Sequence, residues 1–70
     1  MKSISGKKFC RVLERHGWLL LRVNGSHHIY GKAGMNVRLS GPIHGNDSLK
    51  TGLLSHLIKM ADLTENDFKS

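Results

Sequence analysis

Asn24-Gly25-Ser26-His27-His28-Ile29-Tyr30 is the stretch of sequence that decides the fold. It separates an apolar run that ends at Val23 from a second short run, His27 to Lys32. An Asn-Gly pair between two such runs is the strongest short-range signal for a β-hairpin, because both residues tolerate the positive φ of a type I′ turn. The two histidines are therefore expected at the mouth of a hairpin, held by rigid strands and close to solvent.

Two amphipathic helices are predicted on either side of this hairpin. The first lies between Ser5, a candidate N-cap, and Gly17, and its apolar face consists of Phe9, Val12, Leu13 and His16. The second begins near Lys50 or Thr51, and its apolar face consists of Leu53, Leu54, Leu57, Ile58 and Ala61. Thr64 is expected to cap a last single turn that brings Phe68 into the core.

Three strands are predicted between the helices. Residues 18–23 are apolar on both faces, which favours a central position in the sheet. The second strand is 27–32, and the alternation of 35–39 predicts the third. Residues 40–48 are rich in Gly, Pro and Asn and are expected to form a loop. The sequence therefore predicts a two-layer α+β domain of order α-β-β-β-α, with both helices on one face of an antiparallel sheet and the other face open for binding.

Length and composition indicate one small intracellular domain, residues 1–70. Cys10 is the only cysteine, so an intramolecular disulfide is impossible and a reducing compartment is favoured. The longest apolar run, 18–21, is too short to span a membrane, and the N-terminus does not resemble a signal peptide. A cytoplasmic location without membrane association is expected.

The positive charge of the chain is unevenly distributed. Residues 1–46 contain eight Lys or Arg and one acidic residue, Glu14, a balance of +7, whereas residues 47–70 contain three Lys and four acidic residues, a balance of −1. A basic face on a small domain indicates a polyanionic partner, either nucleic acid or an acidic protein. The first helix carries Lys7, Lys8, Arg11 and Arg15 opposite its apolar face. These side chains form either a phosphate-contacting stripe or simply a solvated helix face.

Motifs for metal binding or nucleophilic catalysis are weak. The histidines lack the spacing of a metal site, and His27 and His28 are expected on opposite faces of one strand. Cys10 lies beside Phe9 within a helix and is interpreted as a small core residue. No acidic residue is placed to orient a Ser26–His27 pair. We therefore predict no metal and no cofactor.

A single histidine among cations is the remaining arrangement with catalytic potential. If Asn24 and Gly25 form the turn, Arg22 pairs with His27 and the two share a face. Histidine moves protons near neutral pH, and a neighbouring arginine can stabilise charge on a phosphate. RNA supplies its own nucleophile, the 2′-OH, so a positioned base can cleave it without metal. The alternative from spacing alone is that His27 is an ordinary exposed strand residue.

Three stretches resemble the HicA family of toxins from bacterial and archaeal toxin–antitoxin pairs. Residues 5–18 resemble the opening helix and its Gly-aromatic stop, and Arg22-Val-Asn-Gly-Ser-His-His-Ile-Tyr30 resembles the Arg-x-x-Gly-Ser-His-His core. His44-Gly-Asn46 with the segment 49–63 resembles the closing loop and helix. The chain differs at Thr51, where the family commonly has Pro, and 39–44 is a residue longer than the usual Val-Pro-x-His run.

The resemblance implies a double-stranded-RNA-binding-domain-like fold, ribonuclease activity on mRNA, and a HicB-type antitoxin that blocks the toxin. The catalytic histidine of the family corresponds to His27. Candidate RNA contacts are Lys7, Lys8, Arg11, Arg15, Arg22, Ser26, His28, Lys32 and Arg38. Alternatively, His28 packs against neighbouring residues and does not contact RNA. We expect a monomer when free and a hetero-oligomer with the antitoxin. The alternative functions are a non-catalytic RNA-binding module of the same fold and a domain that docks an acidic protein.

Overall fold

The structure is a computed structural model that describes residues 3–68. Its elements are α1 (Gly6–Arg15), β1 (Leu19–Asn24), β2 (His27–Gly31), β3 (Arg38–Pro42), α2 (Thr51–Met60) and a 3₁₀ turn over Glu65–Phe68. The predicted α+β class and α-β-β-β-α order are confirmed. Within residues 3–68, no helix is long and apolar enough to cross a membrane.

The first helix begins and ends where the sequence predicts. The Ser5 hydroxyl accepts a hydrogen bond from the Lys8 backbone N–H at 3.1 Å, as an N-cap does. His16 is the C-cap, and Gly17 follows it with a φ of +92°, the left-handed conformation that commonly ends helices. The helix therefore owes its limits to local chemistry that is readable in the sequence.

The strand order is β1-β2-β3, which places β1 at an edge of the sheet. The prediction of a central position for residues 18–23 is therefore wrong. Leu19, Leu21 and Val23 are 65%, 53% and 50% exposed. The apolar character of these residues therefore does not reflect burial. The third strand, β3, pairs with β2 and not with β1, so β1 has one neighbouring strand.

The third strand begins three residues later than predicted. Pairing with β2 starts at Arg38, which lies opposite Gly31. The strand continues through Gly41 and Pro42, two residues of the segment 40–48 that is predicted to form a loop. A Cβ at Gly41 would lie 3.3 Å from the Leu57 side chain, so the glycine allows α2 to pack closely against the strand. Pro42 is the last residue of β3, which is an edge strand of the sheet, and edge strands tolerate the missing N–H of proline.

Both helices pack on the same face of the sheet. Phe9 of α1 and Leu57 of α2 border one small pocket together with Tyr30 and Leu39 of the sheet. The core contains the buried apolar side chains of Phe9, Val12, Leu13, Trp18, Tyr30, Leu39, Leu49, Leu54, Leu57, Ile58, Ala61 and Phe68. The second face of the sheet, called the open face below, is covered by neither helix.

The loop between β3 and α2 is fastened to the start of α1. The Gly6 and Lys7 N–H groups donate to the carbonyls of Asp47 and Gly45, each at 2.9 Å. N–H groups in the first turn of a helix have no partner within the helix. These contacts therefore complete the helix end and fix the loop beside it.

The C-terminal turn closes the core as predicted. The Thr64 N–H donates to the Asp67 carboxylate at 2.8 Å, which is one half of a capping box. Phe68 is buried, and its ring stacks on Phe9 with centroids 5.4 Å apart. His16, predicted on the apolar face of α1, is only partly buried, and its Nε2 lies 3.9 Å from the Asp67 carboxylate.

Candidate nucleic-acid interface

The hairpin turn consists of Gly25 and Ser26, one residue later than the predicted Asn24-Gly25 pair. Asn24 pairs with His27 and closes the turn. Gly25 has a φ of +62°, and neither Asn24 nor Ser26 has a positive φ. A positive φ at the first turn residue alone is the pattern of a type II′ turn, in which glycine takes that position. The hairpin prediction is confirmed, but its register is wrong.

The corrected register changes the neighbour of Arg22. Arg22 pairs with Ile29 rather than with His27. Because His27 and Ile29 are two residues apart on one strand, Arg22 and His27 still share the open face as diagonal neighbours, about 7 Å apart between backbones. The predicted side-by-side pair is therefore replaced by a looser arrangement with room for a ligand group between the two side chains.

His27 is exposed on the best-anchored strand of the sheet. It pairs with Asn24 on one side and with Pro42 on the other. Directly beside it, the Ile43 N–H donates to the Ser26 carbonyl at 2.7 Å and ties the hairpin mouth to the end of β3. An accessible side chain on a fixed backbone is the arrangement that acid–base catalysis requires.

His28 lies on the opposite face, in a cleft between α1 and the hairpin. The cleft has a volume of about 420 Å³ and is bordered by Lys7, Arg11 and Leu20, among others. The Nδ1 atom of His28 lies 3.3 Å from the Ser26 carbonyl oxygen, which orients the ring. Two adjacent histidines thus occupy different surfaces, as the alternation of side chains along a strand predicts.

The floor of this cleft contains three polar groups that connect α1 to β2. The Tyr30 hydroxyl donates to the Glu14 carboxylate at 3.2 Å and also contacts Cys10. Burial raises the pKa of Tyr30 and also that of the Cys10 thiol. Both groups are therefore protonated at neutral pH. Cys10 packs against the core, in agreement with its interpretation as a small core residue.

The basic side chains of α1 form a separate surface on the helical layer. Lys7, Arg11 and Arg15 are exposed, and Lys8 is partly buried. With Ser5 and Val12 they line a groove of about 380 Å³. This groove lies on the side of the sheet opposite His27. The cations predicted to contact one ligand therefore do not form a single flat surface.

Lys32 and Arg38 lie near each other at the far end of the open face. Both border a pocket of about 210 Å³ that also includes Leu19 and Leu21. This pocket is at the end of the hairpin opposite the turn, because Leu19 pairs with Gly31. The two cations thus share the face of His27 but not its immediate surroundings.

Glu14 and Tyr30 contribute to the helix-side cleft although neither was predicted as a site residue. Glu14 could have been identified from the sequence, because it is the only acidic residue among the first 46 and lies four residues after Cys10, on the same side of the predicted helix. Tyr30 gave no such signal, because its hydroxyl reaches the cleft only through the packing of α1 on β2. Within residues 3–68, no group of three or more His, Cys, Asp or Glu side chains is arranged to hold a metal ion.

Comparison with known sequences identifies a family that the chain matches. The model of a family described as the HicA toxin of bacterial toxin–antitoxin systems matches residues 6–63, which is 58 of the 70 residues. The matched region runs from the start of α1 to beyond α2 and includes His27 and all the basic residues considered above. No curated protein matches the chain significantly.

Proposed function

The chain belongs to the HicA toxin family of bacterial toxin–antitoxin systems, and we propose that it acts as an endoribonuclease that cleaves mRNA. His27 serves as general base or acid, and no metal takes part. Membership of this family implies a cognate antitoxin. In this proposal the antitoxin is of the HicB type and neutralises the toxin, which is a monomer when free and part of a hetero-oligomer when inhibited.

The observation that carries this proposal is the position of His27. Its side chain is exposed on the open face, whereas its backbone is paired on both sides. Arg22 projects from the same face and is diagonal to it. This combination supports a proton-transfer group close to a phosphate-binding group, and each of these two functions contributes to the cleavage of RNA.

The reaction that fits these residues is an intramolecular transesterification. His27 removes the proton from a ribose 2′-OH, and the 2′-oxygen attacks the adjacent phosphorus. The bond from phosphorus to the 5′-oxygen of the next nucleotide breaks, and that oxygen takes up a proton from water, while the His27 imidazolium returns its proton to the solvent. The products are a 2′,3′-cyclic phosphate and a free 5′-OH. Arg22 stabilises the additional negative charge on the pentacoordinate phosphorane.

The basic groove of α1 is proposed to hold the RNA backbone on the other side of the sheet. Lys7 and Arg11 border both this groove and the cleft of His28, so their surface continues to the hairpin. An RNA strand bound to α1 would pass around the hairpin mouth to reach His27. Ser26 lies at this mouth, where its backbone carbonyl is already bonded to Ile43.

The decisive experiment compares RNA cleavage by wild type, His27→Ala and His28→Ala in the presence of EDTA. His28→Ala is a matched control, because it removes the same side chain from the neighbouring position on the opposite face. We expect His27→Ala to reduce the cleavage rate by about 10²–10⁴-fold and His28→Ala to have a much smaller effect. Circular dichroism would check that all three proteins are folded.

Other results would favour other functions. Equal cleavage by wild type and His27→Ala would move catalysis away from this residue. Salt-sensitive RNA binding without cleavage by any of the three proteins would identify a non-catalytic RNA-binding module. Loss of cleavage on addition of EDTA, restored by a divalent cation, would contradict the metal-independent reaction.

A further inference from the structure

The cleft between α1 and the hairpin combines one carboxylate with two cations. Its volume of about 420 Å³ is typical of sites that bind small molecules. Lys7 and Arg11 border it, and so does Glu14, the only acidic residue among the first 46. A surface that only held phosphates would gain nothing from this carboxylate, because like charges repel. The carboxylate therefore indicates a ligand that offers hydrogen-bond donors as well as negative charge.

The Glu14 carboxylate is held in place at the border of the cleft. The Tyr30 hydroxyl donates to its Oε2 atom at 3.2 Å. Tyr30 is buried and lies on β2, which is paired on both sides, so this donor is fixed. A carboxylate has about four acceptor positions, so one hydrogen bond leaves most of them for a ligand. Glu14 is exposed, and a ligand in the cleft can reach it.

Guanine is the nucleobase whose donors fit a carboxylate. Its N1–H and N2–H groups lie side by side and can donate to both carboxylate oxygens at once. Adenine and cytosine each present an amino group beside a ring nitrogen that accepts, and this acceptor would face the second oxygen. Uracil has a single N–H between two carbonyl groups. A fixed carboxylate therefore selects guanine among the four bases of RNA.

The other residues of the cleft fit the rest of a nucleotide. Lys7 and Arg11 also border the basic groove of α1, so a phosphate can lie on them while its base enters the cleft. Leu20 is 44% exposed and, with Ile43, gives the cleft an apolar surface for the base. Unpaired bases of RNA are recognised by contacts to their faces and hydrogen bonds to their edges. The cleft offers both.

We propose that this cleft binds a guanine nucleotide of single-stranded RNA and that Glu14 determines its specificity. The N1–H and N2–H groups of guanine donate to the Glu14 carboxylate, and Lys7 and Arg11 bind the adjoining phosphate. Recognition of guanine does not depend on catalysis. The inference rests on the proposed function only in making this RNA the substrate of the enzyme.

The cleft lies on the route that the RNA would take from α1 to His27. His28 borders the cleft and is the neighbour of His27 on β2, so the two surfaces meet at the hairpin. The bound guanine is therefore expected close in sequence to the bond that is cleaved. Cleavage should consequently occur near guanines.

The test measures the affinity of short uridine oligonucleotides that carry one guanine, hypoxanthine or adenine. Their riboses are 2′-O-methylated, so the protein can bind them but cannot cleave them. Hypoxanthine lacks only the N2 amino group of guanine. Wild type should bind the guanine oligonucleotide about 10-fold more tightly than the hypoxanthine one, because one hydrogen bond to a charged group is lost. The adenine oligonucleotide should bind no more tightly than the hypoxanthine one, and fluorescence anisotropy would measure all three affinities.

The variant that tests the carboxylate is Glu14→Gln. It should reduce the preference for guanine to about 2-fold or less, because an amide has one oxygen to accept both donors. Glu65→Gln is the matched control, since it makes the same substitution at an exposed residue of the 3₁₀ turn that does not border the cleft. The preference is a ratio measured on one protein, so partial unfolding lowers all affinities together and does not change it.

The possible results separate the cleft from the proposed reaction. Equal affinities of wild type for the three oligonucleotides would overturn the proposal, and so would a preference that Glu14→Gln retains or that Glu65→Gln loses. If wild type and variants show the expected preferences but wild type cleaves no RNA with unmodified ribose, the guanine site stands and the proposed enzymatic function fails. If wild type cleaves RNA but binds the three oligonucleotides equally, the enzymatic function stands and the guanine site fails.

Discussion

His27 and His28 are chemically identical neighbours that face two different environments. His27 projects into solvent on the open face, diagonal to Arg22, whereas His28 lies in a cleft with Lys7 and Arg11. The difference arises only from the alternation of side chains along β2. At the scale of single residues, position on the strand therefore decides which histidine is available to a bound phosphodiester.

Asp67 gives a pH-dependent prediction at the same scale. Hydrogen bonding from the Thr64 N–H lowers the pKa of Asp67 below its ordinary value of 3.8. The folded state thus favours the ionised carboxylate, which stabilises it relative to the unfolded state. This stabilisation is present above the ordinary pKa of 3.8 and is lost as the pH falls through the lower pKa of Asp67 in the folded state. Asp67→Asn should be less stable than wild type at neutral pH, and the difference should shrink with acidification.

Urea unfolding at a series of pH values between about 3 and 7 would measure this effect. Asp62→Asn is the matched control, since it removes one carboxylate from an exposed residue whose φ of +59° asparagine also accepts. A difference between wild type and Asp67→Asn that stays constant across the whole series would contradict the assigned role of the carboxylate.

At the scale of secondary structure, the sequence predicted the helices better than the strands. Ser5, Gly17 and Thr64 each act through a hydrogen bond or a backbone angle that depends on a few neighbouring residues, so their roles could be predicted. The hairpin was also predicted, but its register was not, because a glycine fits the second position of a type I′ turn as well as the first position of a type II′ turn, which Gly25 occupies.

The incorrect strand predictions share one physical cause. The limits of β3 depend on which residues pair with β2, and Gly41 is tolerated there because Leu57 of α2 packs against it. Likewise, the apolar sequence of β1 did not distinguish a buried strand from an exposed one. The opposite faces of the two histidines were predicted, but the residues that line the cleft around His28 were not, because they are brought together by the packing of α1 on the sheet.

The N-cap of α1 provides a prediction at this scale. Ser5→Ala removes the acceptor of the Lys8 N–H and should lower the free energy of unfolding by about 1 kcal/mol. Ser55→Ala makes the same substitution at an exposed position within α2 and should raise it by up to about 0.5 kcal/mol, because alanine is the better helix former. Urea titration would compare both variants with wild type, and equal effects would contradict the capping role.

The whole molecule presents cations on both sides of its sheet. The α1 groove faces one way, and the open face with Arg22 and Arg38 faces the other. A ligand that uses both must bend around the hairpin mouth, which suits flexible single-stranded RNA better than a rigid duplex.

This arrangement predicts how RNA affinity depends on salt. Arg11→Ala should weaken binding of single-stranded RNA and reduce the slope of log K against log salt concentration by about 0.7, the value for one phosphate contact. Lys59→Ala removes one exposed charge from the last turn of α2, away from both surfaces, and should leave the slope near that of wild type. Fluorescence anisotropy at several salt concentrations would measure both, and identical slopes would indicate that the α1 groove is only solvated.

The hydrogen bond from Ile43 to the Ser26 carbonyl has a consequence for the order of events during synthesis. The hairpin ends at Gly31, whereas β2 acquires its second neighbour and its tie at the turn from residues 38–43. Those twelve further residues take on the order of one second to synthesise. A chain that lacks them contains His27 without the partners that fix its strand, so the site can assemble only after residue 43 has left the ribosome.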